Sequence, residues 1–307
     1  FESMSVPAAN QTISYLAKRF SEAGIRLNAR HGQNFLIDMN LQRLIVDRAA
    51  IGPDDVVLEV GTGTGALSAL MAPLAAAVVT VEIDPQLYQL ASEELFGLDN
   101  VVMLAHDALR NKSHFDDRVI EAVQEQLAAA PGRRLKLVAN LPYSVATPVV
   151  ANLLASSIVP ATMTITIQKE LADRIAAPPG SKDYGALSVW VQSQCRVELV
   201  RLLGPTVFWP RPKVTSAILQ IELDPALRGR IDDLPFFHEF ARSLFFHRRK
   251  FLRSVLLSAW KGRLDKPAVD AILADCELSA ELRAEQLSVE TILRLSRAVK
   301  SALGERG

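Results

Sequence analysis

From Val56 onward the chain alternates short aliphatic and β-branched runs with longer stretches whose apolar positions recur every three or four residues. The runs read VVLEV, VVTVEID, VVMLA, LKLVA and MTITI. Each is dominated by aliphatic and β-branched residues and is followed by a helix-like segment, which predicts parallel strands covered by helices on both faces. Residues 85–96 and 115–129 fit two of those helices. After Cys195 the pattern turns to alternation in RVELVRLL and VTSAILQIEL, joined through the proline-rich FWPRP. Such alternation predicts an antiparallel pair that finishes the sheet. Before the first strand, helices are expected over 11–23, stopped by Gly24, and over 39–50, with Asp38 as N-cap and Gly52-Pro53 as its end. The intervening RHGQNFLID has no period and reads as a loop. Beyond Asp224-Pro225 strands disappear, and 235–302 reads as helical throughout. The expected fold is therefore α/β, with a mostly parallel sheet of seven strands over residues 1–225 and a smaller all-helical domain over 226–307.

Composition adds limits. At 307 residues the chain is long enough for a full core in two domains without covalent staples. Cys195 and Cys276 stand far apart beside no patterned histidines, so neither a disulfide framework nor a metal site is expected. No run is long enough to span a bilayer, and no signal pattern opens the chain, so a soluble cytoplasmic protein without a membrane partner is expected. Phe1–Ser3 precede Met4 and are expected to be foreign to the fold.

Basic and acidic residues balance at 34 each, which argues against a nucleic-acid partner until their placement is considered. Residues 240–264 carry seven Arg or Lys and no acid, so positive charge is segregated there.

The chemistry concentrates at the predicted strand ends. In VVLEVGTGTGALSAL, Gly61, Gly63 and Gly65 lie between a strand and a helix, where backbone N–H groups can approach a ligand. The same spacing satisfies a dinucleotide fingerprint. Glu82, 21 residues beyond Gly61, closes the next strand where a carboxylate accepts both hydroxyls of a ribose. Asp107 follows the third strand and reads equally as a ligand contact or a loop cap. After the fourth strand, Asn140-Leu141-Pro142-Tyr143 exceeds what a turn requires, since Asn and Pro suffice for turning and Tyr does not.

Glu-x-Gly-x-Gly-x-Gly, an acid closing the next strand, Asp after the third and Asn-Leu-Pro-Tyr after the fourth resemble the class I S-adenosyl-L-methionine-dependent methyltransferases, which implies a Rossmann-like sheet. The ordered series GQNFL, NLPY, QKELADRI, SKDYGALSV, FWPRPKVTSA and FFHRRKFLRSVL is similar to the KsgA-type rRNA adenine dimethyltransferases, over about residues 29–290. The resemblance implies cofactor contacts from Asn34, Leu36, Gly61, Glu82 and Asp107, with Asn140 at the junction with a target adenine between Tyr143 and Phe208. The Asn140 side-chain oxygen and the Leu141 carbonyl would accept the two amine hydrogens, Pro142 would stiffen the turn, and Tyr143 would stack on the base. Phe208 reads equally as a core aromatic at a strand entry. The implied product is N6,N6-dimethyladenosine at two adjacent adenosines of small-subunit rRNA, made by a monomer acting on the subunit or its assembly intermediate.

For RNA contact the expected residues are Lys213 and a basic helix face bearing Arg248, Arg249, Lys250 and Arg253. His31, Thr62, Ser144 and Ser254 depart from the usual pattern of that family. The rivals are an Erm-type enzyme acting on large-subunit rRNA and an assembly or transcription factor of this fold that has lost catalysis.

Overall fold

The computed structural model describes residues 13–22, 24–25 and 34–304. The departure at His31, and the Gly32-Gln33 that begins the GQNFL motif, lie outside them. Two compact units emerge. One holds the residues up to Ala172 with Glu198–Glu222, and the other holds Asp173–Val197 with the residues from Leu223 on. The residues from 173 to 197, expected to belong to the sheet-bearing part, thus group with the C-terminal helices.

The sheet consists of β1 (Asp55–Val60), β2 (Ala77–Glu82), β3 (Val101–Ala105), β4 (Arg134–Asn140), β5 (Thr162–Gln168), β6 (Cys195–Leu203) and β7 (Ser216–Leu223), in the order β3-β2-β1-β4-β5-β7-β6. The first five strands pair in parallel, and β7 runs antiparallel to β5 with Ser216 opposite Gln168. Every residue of β1 and β2 is buried, which is why their sequences are mostly apolar, and their polar members, Asp55, Glu59, Thr80 and Glu82, are hydrogen-bonded. The chain order reverses between β1 and β4, so the ligand crevice of such a sheet falls at the C-terminal ends of those two strands.

Around the sheet lie α1 (Ile13–Glu22), α2 (Met39–Ala49), α3 (Ala66–Met71), α4 (Pro85–Glu94), α5 (Asp117–Ala128) and α6 (Ala146–Ala155). Asp38 caps α2 as expected, accepting from the N–H groups of Asn40 (2.9 Å) and Leu41 (3.2 Å). Asp84 caps α4 in the same way, with Pro85 in the first turn. Residues 111–134 look long in sequence because they carry the tail of a short hairpin, 109–115, and then α5, whose Val119 and Val123 are fully buried. This segment is the crossover that a parallel β3-to-β4 connection requires.

The second unit contains α8 (Ala186–Gln192), α9 (Pro225–Arg228), α10 (Leu234–Phe246), α11 (Leu252–Ala259), α12 (Lys266–Asp275) and α13 (Val289–Gly304); α7 (Lys169–Ala176) begins in the first unit. Of the residues whose spacing predicts a buried face, Leu244, Leu252, Val255, Leu256 and Trp260 are buried and Phe245 is only half-buried, and Phe240 stacks on Trp260 at 5.4 Å. The expected continuous basic helix is broken. His247 leaves helical geometry (φ −116°, ψ 62°), so Arg248, Arg249 and Lys250 stand in the turn between α10 and α11, not on a helix face.

Candidate active site

The loop after β1 requires its glycines for two different reasons. Gly61, Gly63 and Gly65 all have left-handed φ values (87°, 57° and 82°). A Cβ at Gly61 would meet the Pro142 ring at 3.0 Å, and one at Gly63 would meet the Phe35 ring at 3.2 Å. The glycine loop is therefore in contact with the Asn-Leu-Pro-Tyr turn, and both line one cavity with Glu82, Asp107 and Asn34. Gly65 is different. A Cβ there would meet Leu95 at 3.3 Å and Ala91 at 3.5 Å, so this residue lets helices pack, and it does not line the cavity.

Glu82 ends β2 with 5% of its surface exposed. One carboxylate oxygen accepts from the Gly63 N–H at 2.8 Å and the other from the Asp84 N–H at 3.0 Å. Burial pushes its pKa above the ordinary carboxylate range, although both N–H donors favour the charged form. One oxygen of Asp107 accepts from the Leu109 N–H at 2.9 Å, which forms the turn, and the residue also lines the cavity.

Asn140 is the last residue of β4. Its Nδ2 donates to the Asn34 carbonyl at 2.8 Å, which leaves Oδ1 as the available acceptor. The next N–H, that of Leu141, donates to the Thr166 carbonyl at 3.1 Å and so fixes the turn to β5. Tyr143 is held by a 2.6 Å hydrogen bond between its hydroxyl and that of Ser216 at the start of β7, and burial raises its pKa.

Beneath the loop, Glu59 is fully buried. It accepts from Ser68 Oγ and, at 2.7 Å, from Thr80 Oγ1, which is itself 2.6 Å from Thr62 Oγ1. Thr62, unusual for the family it resembles, thus belongs to a hydroxyl chain that supports the loop. Burial pushes the Glu59 pKa up to about 8. A carboxyl whose folded pKa is raised is favoured as the neutral acid. Its contribution is full below the unfolded value and is lost as pH rises toward 8. Urea unfolding of the wild type between pH 5.5 and 8.5 should therefore show stability falling with pH by about one proton's linkage, and Glu59→Gln should flatten that slope.

Other expected residues lie elsewhere. Leu36 and Phe208 face each other in a two-residue strand pair and are packed in the core, 7% and 1% exposed. Phe208 does not line the cavity, so the second aromatic wall expected of it is absent from this arrangement. Lys213 is exposed on the loop before β7. Arg248 donates to Glu285 at 2.6 Å and to the Ser181 carbonyl at 3.2 Å, and Arg253 pairs with Asp270. The acids absent from 240–264 are supplied by distant segments. Sequence reasoning missed Phe35, which supports Gly63, as well as Ile83 and His106, which line the cavity. Ile83 carried a signal: an aliphatic residue directly after the acid that ends β2, here 45% exposed.

Both cysteines are free and buried. Among the described residues there is no three-residue group fit to hold a metal, and no helix long and apolar enough to cross a membrane.

A glycine cradle at the end of β1, a buried carboxylate at the end of β2 and a polar turn at the end of β4, on a sheet in this order, fit S-adenosyl-L-methionine and define a Rossmann-like S-adenosylmethionine-dependent methyltransferase. The pattern of the ribosomal RNA adenine dimethylase family matches residues 24–299, and the chain belongs to that family. It is 36% identical over 283 residues to ribosomal RNA small subunit methyltransferase A of Halothermothrix orenii, covering 92% of this chain and 91% of that protein. The protein of the same name from Bacillus cytotoxicus is 38% identical over 269 residues, covering 87% and 89%. Among solved structures, a dimethyladenosine transferase from Plasmodium falciparum shares the fold at TM-score 0.69 and 23% identity, covering 84% of this chain and 94% of that one. The 23S rRNA methyltransferase ErmE shares it at TM-score 0.58 and 24% identity, covering 87% and 99%.

Replacing Glu82 by Ala should weaken S-adenosylmethionine binding by about 1.5–3 kcal/mol, the scale of a hydrogen bond to a charged group. Calorimetric titration measures it. Because the Glu82 pKa is raised, wild-type affinity should fall with acidification before an ordinary carboxylate would protonate, and the variant should lack that limb.

Proposed function

We propose that this chain dimethylates the N6 amines of two adjacent adenosines in small-subunit ribosomal RNA, as a cytoplasmic monomer acting on the small subunit or an assembly intermediate of it. The observation that carries the reading is the Asn140 amide, whose nitrogen is engaged by Asn34 so that its oxygen is left for an amine hydrogen. S-adenosylmethionine supplies a methyl group on a sulfonium centre.

The chain's own residues then solve a geometric problem. The lone pair of an adenine amine is delocalised into the ring and is a poor nucleophile until the nitrogen becomes pyramidal. Two acceptors below the amine, Asn140 Oδ1 and the Leu141 carbonyl, favour that shape and aim the lone pair at the methyl. No other hydrogen bond takes the Leu141 carbonyl among the described residues. Tyr143, its ring held by Ser216, stacks on the base. The amine becomes strongly acidic once alkylated, so its proton leaves to water without a dedicated base. A neutral Asn also avoids trapping the cationic cofactor in an ion pair.

Lys213 and the turn bearing Arg249 and Lys250 supply cations for phosphate contact, and the helical unit serves as the RNA-binding part. The deciding experiment is incubation with labelled S-adenosylmethionine and with small or large subunits lacking the modifications, followed by mapping of the labelled base. Label at a pair of adjacent small-subunit adenosines is expected. Label confined to the large subunit would favour the Erm-type reading, and no label with intact cofactor binding would favour an assembly factor.

A further inference from the structure

Within the second unit, α10 and α11 border an open groove. His238, Arg242 and Phe246 recur every four residues along α10, share one face and line it, with Val255 and Ser258 of α11 across from them. Phe246 is 81% exposed, and His247 stands edge-on to it at 4.8 Å, which fixes one side of its ring. His238 lies over the buried indole of Trp190 at 4.3 Å. The groove thus offers ring surface at two places about 12 Å apart along the helix, with Arg242 about halfway between them.

The charge around Phe246 is one-sided. Arg242, Arg249 and Lys250 are exposed and carry no ion pair among the described residues, whereas Arg248 and Arg253 are already paired. Glu239 is the acid lining the groove, and it lies about 10 Å back along α10 from Phe246.

We propose that this groove seats unpaired RNA, with a base stacked on Phe246 and the neighbouring phosphates held by Arg242, Arg249 and Lys250. A solvated ring beside unpaired cations matches the two surfaces every unpaired nucleotide offers, a π-face and an anion. A duplex offers only the anions, because its bases are stacked on each other. The inference rests on the rRNA substrate argued above and adds a second contact within the helical unit, in which no acceptor adenosine is involved.

The test uses the full chain and fluorescein-labelled RNA of about sixteen nucleotides, single-stranded or fully duplex, read by anisotropy. Phe246→Ala should weaken single-strand binding by about 5- to 150-fold, the range for losing one stacked base, and should leave duplex binding and the salt slope unchanged. Phe246→Tyr should retain binding, whereas Phe246→Leu should bind as weakly as the Ala variant. Arg249→Gln with Lys250→Gln should lower the magnitude of the single-strand salt slope by about 1.4. Wild-type affinity in Phe246→Ala or in Phe246→Leu would overturn the proposal. So would a loss seen with protein-bearing subunits and absent with naked RNA, which would identify a protein partner instead. Methyl transfer to undermethylated small subunits by the wild type, assayed in parallel, reports separately on the proposed function: its failure alongside intact Phe246-dependent binding overturns that function and leaves the groove assignment standing.

Discussion

Asn140→Ala should lower single-turnover methyl transfer by on the order of 10²-fold or more, the scale for losing one preorganised polar group at the reacting atom. The expected result includes what does not change. The side chain is partly buried and, among the described residues, its donor serves the Asn34 carbonyl alone, so thermal unfolding should shift little. Affinity for S-adenosylmethionine should fall modestly, because Asn34 lines the same cavity and loses one of its hydrogen bonds. Asn140→Asp separates geometry from charge. It keeps an acceptor but loses the N–H₂ donor to Asn34 and adds a negative charge, so tighter cofactor binding with slower transfer is expected. Rapid-quench measurement at saturating cofactor and substrate distinguishes these outcomes. A single-turnover rate within a few-fold of wild type in Asn140→Ala would reduce the stretch to a turn.

The sheet was legible because each strand's burial is written in its residues. β1 and β2 are buried on both faces and hence mostly apolar, while Asp38 and Asp84 mark helix starts through a local hydrogen bond that needs no tertiary information. The site residues that follow strands were legible for the same reason, since the topology places strand ends at one edge. Long-range geometry was not. Nothing near Gly65 in sequence reveals that Leu95 approaches it, and nothing near Phe208 reveals that Leu36 pairs with it and closes it into the core. The basic segment misled in the opposite direction. Counting acids within 240–264 treated a three-dimensional charge balance as a local one, and Glu285 and Asp270 supply what the window lacked. The helix there was also overextended, because the apolar period continues across a turn that only the backbone at His247 reveals.

Lys136→Met should destabilise the protein by about 3–5 kcal/mol, the cost of removing one partner from a buried ion pair. Lys136 and Asp55 are 6% and 0% exposed, on adjacent strands β4 and β1, with Nζ 2.9 Å from the carboxylate. The same ammonium donates to the carbonyls of Ala49 (2.9 Å) and Ala50 (2.6 Å) at the end of α2, satisfying groups that a helix C-terminus leaves open. Its loss would leave a buried carboxylate with only Arg134 and the Gly52 N–H, and would also release two carbonyls. Burial acts to raise the Asp55 pKa, but the hydrogen bonds from Lys136 and Gly52 and the two positive charges outweigh it and hold the group below its ordinary value. For a carboxylate depressed in this way, the stabilisation is present above the unfolded pKa near 4 and is lost as pH falls through the folded value. Urea unfolding at neutral pH should therefore show the full deficit in Lys136→Met. The gap to wild type should narrow on acidification, starting where Asp55 of the variant takes up a proton, which burial places higher once Lys136 is gone, and continuing as the wild-type carboxyl protonates below its ordinary value. A double variant, Asp55→Leu with Lys136→Met, should recover the part of the loss that comes from the unpaired buried carboxylate, while the released Ala49 and Ala50 carbonyls and the Gly52 N–H keep it below wild type.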